Sequence, residues 1–339
     1  MQEIENFKKL LKSPKKVVIT THRGPDGDAI GSSLACYHLL TKLGHQVQVI
    51  TPNNYASFLH WMPGNEKVIQ YNAEPEIAKE ITKDAELIIM LDFNEIHRLE
   101  NFANSINKST AKKILIDHHE DPDINIADII ISDSNSCSTA QLLYEVIENM
   151  HMEDLITQNI AECLYTGIMT DTGSFKYEST EEKTHNIIAK LISKGANNTK
   201  IHQKVYDNFS PDRIKLLGYC LNKKLQLYLE NKSAIISLTN EELKKFNFKK
   251  GDTEGIVNYA LSIEGIIFAC FIVERGNIVK LSLRSKGGLK VNEIAKQYFN
   301  GGGHINAAGG ISETSVRKTI EKVEEIILSK KDELNKIKL

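Results

Sequence analysis

Acidic and imidazole side chains gather in four short stretches of a 339-residue sequence. The first holds His22, Asp26 and Asp28 within seven residues, threaded by Gly24, Gly27 and Gly31. The second is Asp92, directly after the apolar run ELIIML. The third is Asp117-His118-His119, directly after KILI, and the fourth is Asp171 within MTDTGSF. Carboxylate and imidazole are the usual protein ligands of Mn²⁺-, Zn²⁺- and Mg²⁺-type ions. Any single aspartate at such a position also reads as a turn or capping residue, and Asp26 or Asp28 reads equally as the cap of a following helix. Four such coincidences at predicted element ends argue for a shared purpose. Five carboxylates and two or three imidazoles exceed the needs of one ion. Two ions about 3.5–4 Å apart, bridged by a carboxylate, would use the set, generate a hydroxide near neutral pH and clamp an in-line displacement at phosphorus. The chemistry implied is phosphoester hydrolysis.

The elements that must position these residues follow from the apolar pattern. Residues 16–21, 46–51, 86–91, 113–116 and 128–132 are apolar or alternating runs of strand length. Residues 28–43 carry apolar side chains at helical spacing, and Gly44 stops that helix. Strands alternating with helices predict an α/β fold with a doubly wound, mainly parallel sheet, whose ligands sit beyond the carboxyl ends of the strands. Adjacent His118 and His119 point to opposite sides of an extended chain, so one is available to a metal while the other reaches substrate. Stripes at 139–150, 155–169 and 181–194 predict helices, and Ser210 and Pro211 predict the cap and first position of another. Strands at 233–239, 266–274 and 277–284, a hairpin turn at Glu274-Arg275-Gly276-Asn277, and helices at 254–262, 291–299 and 315–329 predict a smaller second α/β domain. The expected organisation is a catalytic metal-binding domain over 1–190, a helical linker over 191–212 and a substrate domain over 213–339. The terminal KKDELNKIKL is expected to be a frayed, charged end.

Composition bounds the partners. With 42 Lys and Arg against 44 Asp and Glu, the net charge of −2 excludes a general coat for long nucleic acid. A hydrophobic share of 41% is enough for two cores and argues against disorder. There is no run of apolar residues long enough to span a membrane, and the first sixteen residues lack the apolar core of a signal peptide. Cys36, Cys137, Cys163, Cys220 and Cys270 are odd in number and scattered, which predicts reduced thiols and a cytoplasmic location rather than disulfides or a zinc site.

The four segments THRGPDGDAIGSSLA (21–35), LDFNEIHR (91–98), IDHH (116–119) and MTDTGSF (169–175) resemble the four motifs of the DHH phosphoesterase superfamily. The segment SLRSKGGLKVNEIAKQYFNGGGHINAAGG (282–310), with Gly301-Gly302-Gly303-His304, resembles the DHH-associated substrate domain. In length and domain order the chain is similar to the nanoRNase/pAp-phosphatase family. That resemblance implies degradation of short oligoribonucleotides to mononucleotides and removal of the 3′-phosphate of 3′-phosphoadenosine 5′-phosphate (pAp) to give AMP. It implies that His22, Asp26 and Asp92 hold one divalent cation, and that Asp28, Asp92, His118 and Asp171 hold the other. Asp92 would bridge them and Asp117 would orient a histidine. His119 would contact the scissile phosphate or help protonate the leaving oxygen. The implied metal is Mn²⁺, with Mg²⁺ and Co²⁺ as alternatives. The implied partners are short RNA and pAp-like nucleotides, not long duplexes or membranes, and a homodimer stays open.

On the substrate side, arginine is scarce: six of the 42 basic residues. Arg284 ends a predicted strand and is followed by Ser285. A guanidinium there suits phosphate, and the resemblance favours this over a solvated cation. Gly301, Gly302 and Gly303 let backbone N–H groups approach an anion, and His304 adds a donor. Arg98 reads equally as a phosphate ligand or a surface residue. Ser136, Ser138 and Thr139 read as helix caps rather than substrate contacts. Trp61 reads as a packed loop anchor, and His38, His45, His97, His151, His185 and His202 as surface or packing residues. A competing enzymatic reading is a pApA phosphodiesterase of cyclic di-AMP turnover. A non-enzymatic one is a nucleotide-sensing module, against which the intact acids and histidines argue.

Overall fold

The structure, a computed structural model, describes residues 2–337. The chain divides into two compact units, Met1–Asn208 and Phe209–Leu339.

The first unit contains strands β1 (Lys16–Thr21), β2 (Gln46–Thr51), β3 (Ile69–Gln70), β4 (Leu87–Leu91), β5 (Lys112–Asp117) and β6 (Ile129–Ser132). Its helices are α1 (Gln2–Leu10), α2 (Gly27–Lys42), α3 (Pro75–Lys83), α4 (Ala103–Lys108), α5 (Thr139–Asn149), α6 (Gln158–Asp171), α7 (Glu182–Ser193) and α8 (Asn198–Tyr206). The strand order is β3-β2-β1-β4-β5-β6, and every pairing is parallel. The order reverses between β1 and β4, and this switch point opens a crevice at the carboxyl ends of the strands. Successive residues of β1 serve opposite faces: Val17 and Ile19 join one core, with α2, α5 and α6, while Val18 joins the other. Burial on both faces explains why these strands read as continuous apolar runs. Helix α8 extends this unit by packing Ile201 and Val205 into the first core.

Helices α2 and α6 cross at unusually short range, because Gly31 and Gly167 leave the crossing bare. A Cβ on Gly31 would lie 2.6 Å from the Cys163 carbonyl oxygen, and one on Gly167 would lie 2.6 Å from the Ala140 Cβ. Both distances are shorter than real carbon contacts allow, so only glycine permits the approach.

The second unit contains helices α9 (Pro211–Tyr219), α10 (Asn240–Lys245), α11 (Ile256–Leu261), α12 (Val291–Tyr298), α13 (Val316–Ser329) and α14 (Lys331–Lys336). Its strands are β7 (Leu225–Tyr228), β8 (Ser233–Leu238), β9 (Phe268–Arg275), β10 (Ile278–Ser285), β11 (Gly302–His304) and β12 (Ala307–Ser312). They form one sheet in the order β11-β12-β10-β9-β8-β7, antiparallel except where β8 meets β9. Ser210 caps α9 by accepting from the Arg213 N–H, with Pro211 at the first helical position. The expectation of a frayed tail is corrected over residues 330–337. Lys331–Lys336 is helical because Leu334 is buried in the core of the second unit. Residues 338 and 339 of that expectation lie outside the described residues.

Candidate metal centre

The acidic and imidazole residues converge at the β1/β4 switch point. His22 follows β1, Asp92 follows β4, Asp117 ends β5, and Asp26 and Asp28 open α2. Asp171 closes α6. Asp92 has a φ of 68°, a left-handed conformation that is costly for a residue with a Cβ and turns the carboxylate sharply out of the strand.

Asp92 divides its two oxygens. Its Oδ2 lies 3.4 Å from His22 Nε2, and its Oδ1 lies 3.5 Å from His118 Nε2. Candidate ligand atoms of His22, Asp26 and Asp92 lie within 4.8 Å of one another, as do those of Asp28, Asp92 and His118. Asp171 joins the second group through its Oδ2, 3.3 Å from His118 Nε2. Both imidazoles are oriented by backbone carbonyls. His22 Nδ1 donates to the Arg23 oxygen at 2.9 Å, and His118 Nδ1 donates to the Ser136 oxygen at 3.1 Å. A carbonyl only accepts, so in each neutral ring the Nε2 lone pair faces the carboxylates.

Asp26 serves both readings the sequence leaves open. Its Oδ1 caps α2 by accepting from the Asp28 and Ala29 N–H groups at 3.1 Å, and its Oδ2 lies 3.8 Å from His22 Nε2. Asp28 is buried, with Oδ2 accepting from the Thr139 N–H at 2.6 Å and Oδ1 from the Ala140 N–H at 2.9 Å. These donors belong to the first turn of α5, whose dipole favours an anion there. The Thr139 hydroxyl donates to Asp92 Oδ1 at 2.9 Å. Ser138 is the cap of α5, accepting from the Gln141 N–H. Thr139 therefore contacts two candidate ligands, a role its sequence position beside a good cap conceals.

Asp117 and His119 form a further arm of the cluster, with His119 Nδ1 3.8 Å from Asp92 Oδ1. His119 Nδ1 donates to Asp117 Oδ1 at 2.7 Å, and Arg98 Nη1 donates to His119 Nε2 at 3.1 Å. Asp117 Oδ2 is buried without a hydrogen-bond partner.

Electrostatics fit a cation. Burial, together with Asp92, Asp171 and Asp26, pushes Asp28 well above the carboxylate range. Burial also lifts Asp171, to about 7, against the pull of His118. Burial opposes ionisation of Asp92 too, but the hydrogen bond from His22 and the His119, His22 and His118 rings hold it below its usual range. Burial disfavours charge on His22 and His118, yet facing carboxylates raise both. Crowded buried carboxylates of this kind are satisfied by divalent cations, and the mixed N/O donor set fits them.

In the second unit, sheet register groups the remaining candidates. Arg284 and His304 both pair across Ala307, one from each side, so the three share one face of the sheet. Two residues along, Gly302 pairs Gly309, which pairs Ser282. Small residues thus floor a trough between Arg284 and His304. A Cβ on Gly303 would meet the Ala307 oxygen at 2.5 Å, and one on Gly301 would overlap the Gly309 oxygen, whereas Gly302 faces open space. Packing therefore demands Gly301 and Gly303 and leaves room only at Gly302, while the backbone is exposed at both Gly302 and Gly303. The Ser285 hydroxyl donates to the Leu289 oxygen at 2.6 Å and accepts from Asn306 Nδ2 at 2.9 Å, so it braces the loop after β10.

Comparison with known proteins places this geometry. A family model described as the DHH family, N-terminal domain, matches residues 16–168, and the DHHA1 domain matches residues 231–331. The chain belongs to the DHH family and is a hydrolase of phosphoester bonds. Among individual proteins, it matches the crystal structure of an exopolyphosphatase-related protein from Bacteroides fragilis with a TM-score of 0.94 at 40% identity, covering 99% of this chain and 98% of that one. It is 28% identical to the bifunctional oligoribonuclease and PAP phosphatase NrnA of Bacillus subtilis, over 86% of this chain and 88% of that protein. It is likewise 28% identical to the protein of the same name from Thermus thermophilus, over 91% of this chain and 87% of that protein. Among the described residues, no helix is long and apolar enough to cross a membrane.

Proposed function

We propose that the chain hydrolyses short oligoribonucleotides to mononucleotides and removes the 3′-phosphate of pAp, using two divalent cations, Mn²⁺ foremost. The observation that carries this reading is the divided Asp92 carboxylate, with one oxygen towards His22 and the other towards His118. His22, Asp26 and Asp92 would hold one cation; Asp28, Asp92, His118 and Asp171 would hold the other. Bound there, the cations would supply Lewis-acid activation of water and neutralise charge developing at phosphorus.

The protein's own groups do the rest. Asp117 fixes the His119 ring, and Arg98 and His119 face the scissile phosphate. In the second unit Arg284, His304 and the exposed Gly302 backbone bind a substrate phosphate, with Ser285, Gly301 and Gly303 shaping that trough. The names of the Bacillus subtilis and Thermus thermophilus relatives support both activities. A net charge of −2 supports short substrates, since no surplus of cations is available to track a long backbone.

The test is a product analysis over pAp, pApA and labelled two- to ten-nucleotide RNAs with Mn²⁺. AMP from pAp and mononucleotides from the shortest RNAs are expected. Turnover of pApA alone would transfer the assignment to cyclic-dinucleotide metabolism, and no turnover of any substrate would favour a sensor. A folded Asp171→Ala enzyme with full activity would refute the two-cation assignment.

A further inference from the structure

Beside the candidate metal centre lies an arginine that the proposed reaction leaves without a task. Arg23 directly follows His22, and its carbonyl is the group that orients the His22 ring at 2.9 Å. Its N–H donates to the Arg98 carbonyl at 2.7 Å. Two of the six arginines thus spring from hydrogen-bonded backbone positions at the edge of one cluster. Their side chains part company. Arg98 donates to His119, whereas Arg23 Nη1 rests 3.5 Å from Glu100 Oε1.

That resting contact is weak. It is longer than a charge-assisted hydrogen bond, and the two side chains are 47% and 37% exposed, where ion pairs contribute little. Glu100 owes its place to other groups. Its Oε2 accepts from Asn53 Nδ2 at 3.2 Å, and Asn53 is oriented in turn by accepting from the Gly24 N–H at 2.7 Å. The Glu100 backbone has φ 52° and ψ −133°, a conformation that favours glycine, so the surrounding loop imposes the position. Glu100 would therefore stay in place if Arg23 left it.

We propose that Arg23 is the receptor for a second, non-scissile phosphomonoester of the substrate, and that Glu100 parks its guanidinium until that phosphate arrives. The inference rests on the phosphoesterase reading above. A phosphate dianion offers two oxygens to the guanidinium fork, a closer and more directional partner than the loose carboxylate. The ligand chemistry is a phosphomonoester one nucleotide or less from the scissile phosphorus. A nucleoside 3′,5′-bisphosphate and a 5′-phosphorylated dinucleotide both supply it.

The test uses the full chain with Mn²⁺ and a pAp analogue whose scissile ester oxygen is replaced by methylene, beside the same compound without its 5′-phosphate. Calorimetry reads binding without turnover. Wild type should prefer the bisphosphate analogue. In Arg23→Ala that preference should fall about 10- to 100-fold, the range for hydrogen bonds to charged groups. Glu100→Gln should increase it several-fold by releasing Arg23. Rates on 5′-phosphorylated and unphosphorylated dinucleotides identify the source: the KM gap between them closes in Arg23→Ala if oligonucleotides use the site, and persists if only the bisphosphate does. No preference in wild type, or equal changes for both analogues in Arg23→Ala, would overturn the inference. Failure of wild type to hydrolyse pAp or any dinucleotide would instead overturn the functional reading, which the calorimetry does not depend on.

Discussion

Removing one carboxylate from the centre should stabilise the metal-free protein. Burial lifts the Asp171 carboxyl from 3.8 to about 7. Between those values the native state holds a proton that the unfolded chain has released, so metal-free stability falls as pH rises from about 4 to about 7 and levels off above. At about 1.4 kcal/mol per tenfold, the span corresponds to about 4 kcal/mol as a ceiling. The Asp171 side chain is 27% exposed, and solvent reduces that figure to roughly 2–4 kcal/mol. Asp171→Asn keeps the shape and an amide that can pair with either form of His118 but removes the charge, which also relieves Asp28. In EDTA at pH 8 the variant should melt higher than wild type, by roughly 5–10 °C at a few degrees per kcal/mol. Its melting temperature should change less between pH 5 and pH 8. Adding Mn²⁺ should reverse the ranking, because the cation replaces the proton in wild type and has lost a ligand in the variant. Scanning fluorimetry across pH, with and without metal, reads all of this. Equal pH slopes in the two proteins, or a metal-free variant that melts lower at pH 8, would refute the reasoning.

Thr139→Val retains the N–H donated to Asp28 but loses the hydroxyl bond to Asp92; Mn²⁺ affinity and kcat/KM should each drop about tenfold, read by metal titration and steady-state rates. Gly302→Ala should leave the melting temperature nearly unchanged while raising KM for nucleotides, whereas Gly301→Ala should destabilise by about 1–3 kcal/mol, because only the latter Cβ has no room. Gly167→Ala places a Cβ 2.6 Å from the Ala140 Cβ and 2.9 Å from Asp28 Oδ1, so stability and Mn²⁺ affinity should fall together, measured by melting and titration. Asp26→Asn retains a good helix cap and loses a charge beside His22, so chemical denaturation should show a change within about 0.5 kcal/mol while Mn²⁺ binding weakens; Asp26→Ala should lose about 1 kcal/mol as well.

The first unit was legible because its signals are local. Each central strand is an apolar run that stops at an acid or a histidine, and a parallel sheet brings those stops to one edge. Thr139 was not legible because its partners lie 111 and 47 residues away, and because a hydroxyl beside Ser138 looks like a second cap. Strands β11 and β12 escaped for a different reason. Their GGH and AAGGIS sequences carry almost no apolar alternation, since the sheet there uses smallness to make a floor. His202, read as a surface or packing residue, does pack, 3.3 Å from the Ser174 hydroxyl and among the rings of Tyr165, Phe175 and Tyr206, but no local pattern names those partners. Leu334, isolated in a charged tail, gave no hint that it anchors a helix.

Capping and ligation, rivals in the sequence, are compatible in the folded chain because a carboxylate has two oxygens. Asp26 gives one to the first turn of α2 and leaves the other near His22. Asp28 gives both to the first turn of α5, and Asp92 takes a third bond from that same turn through Thr139. Two helix N-termini therefore hold Asp26 and Asp28 in place through backbone N–H groups, which have no rotamers to lose. The α2/α6 crossing can approach closely because Gly31 and Gly167 carry no Cβ, and it is this approach that brings Asp171 to the same place. Much of the electrostatic cost of gathering four carboxylates is thus borne by the fold before any cation binds. Such a rigid centre would suit the two cations proposed above, while the loosely paired Arg23 would stay able to take up the proposed second phosphate.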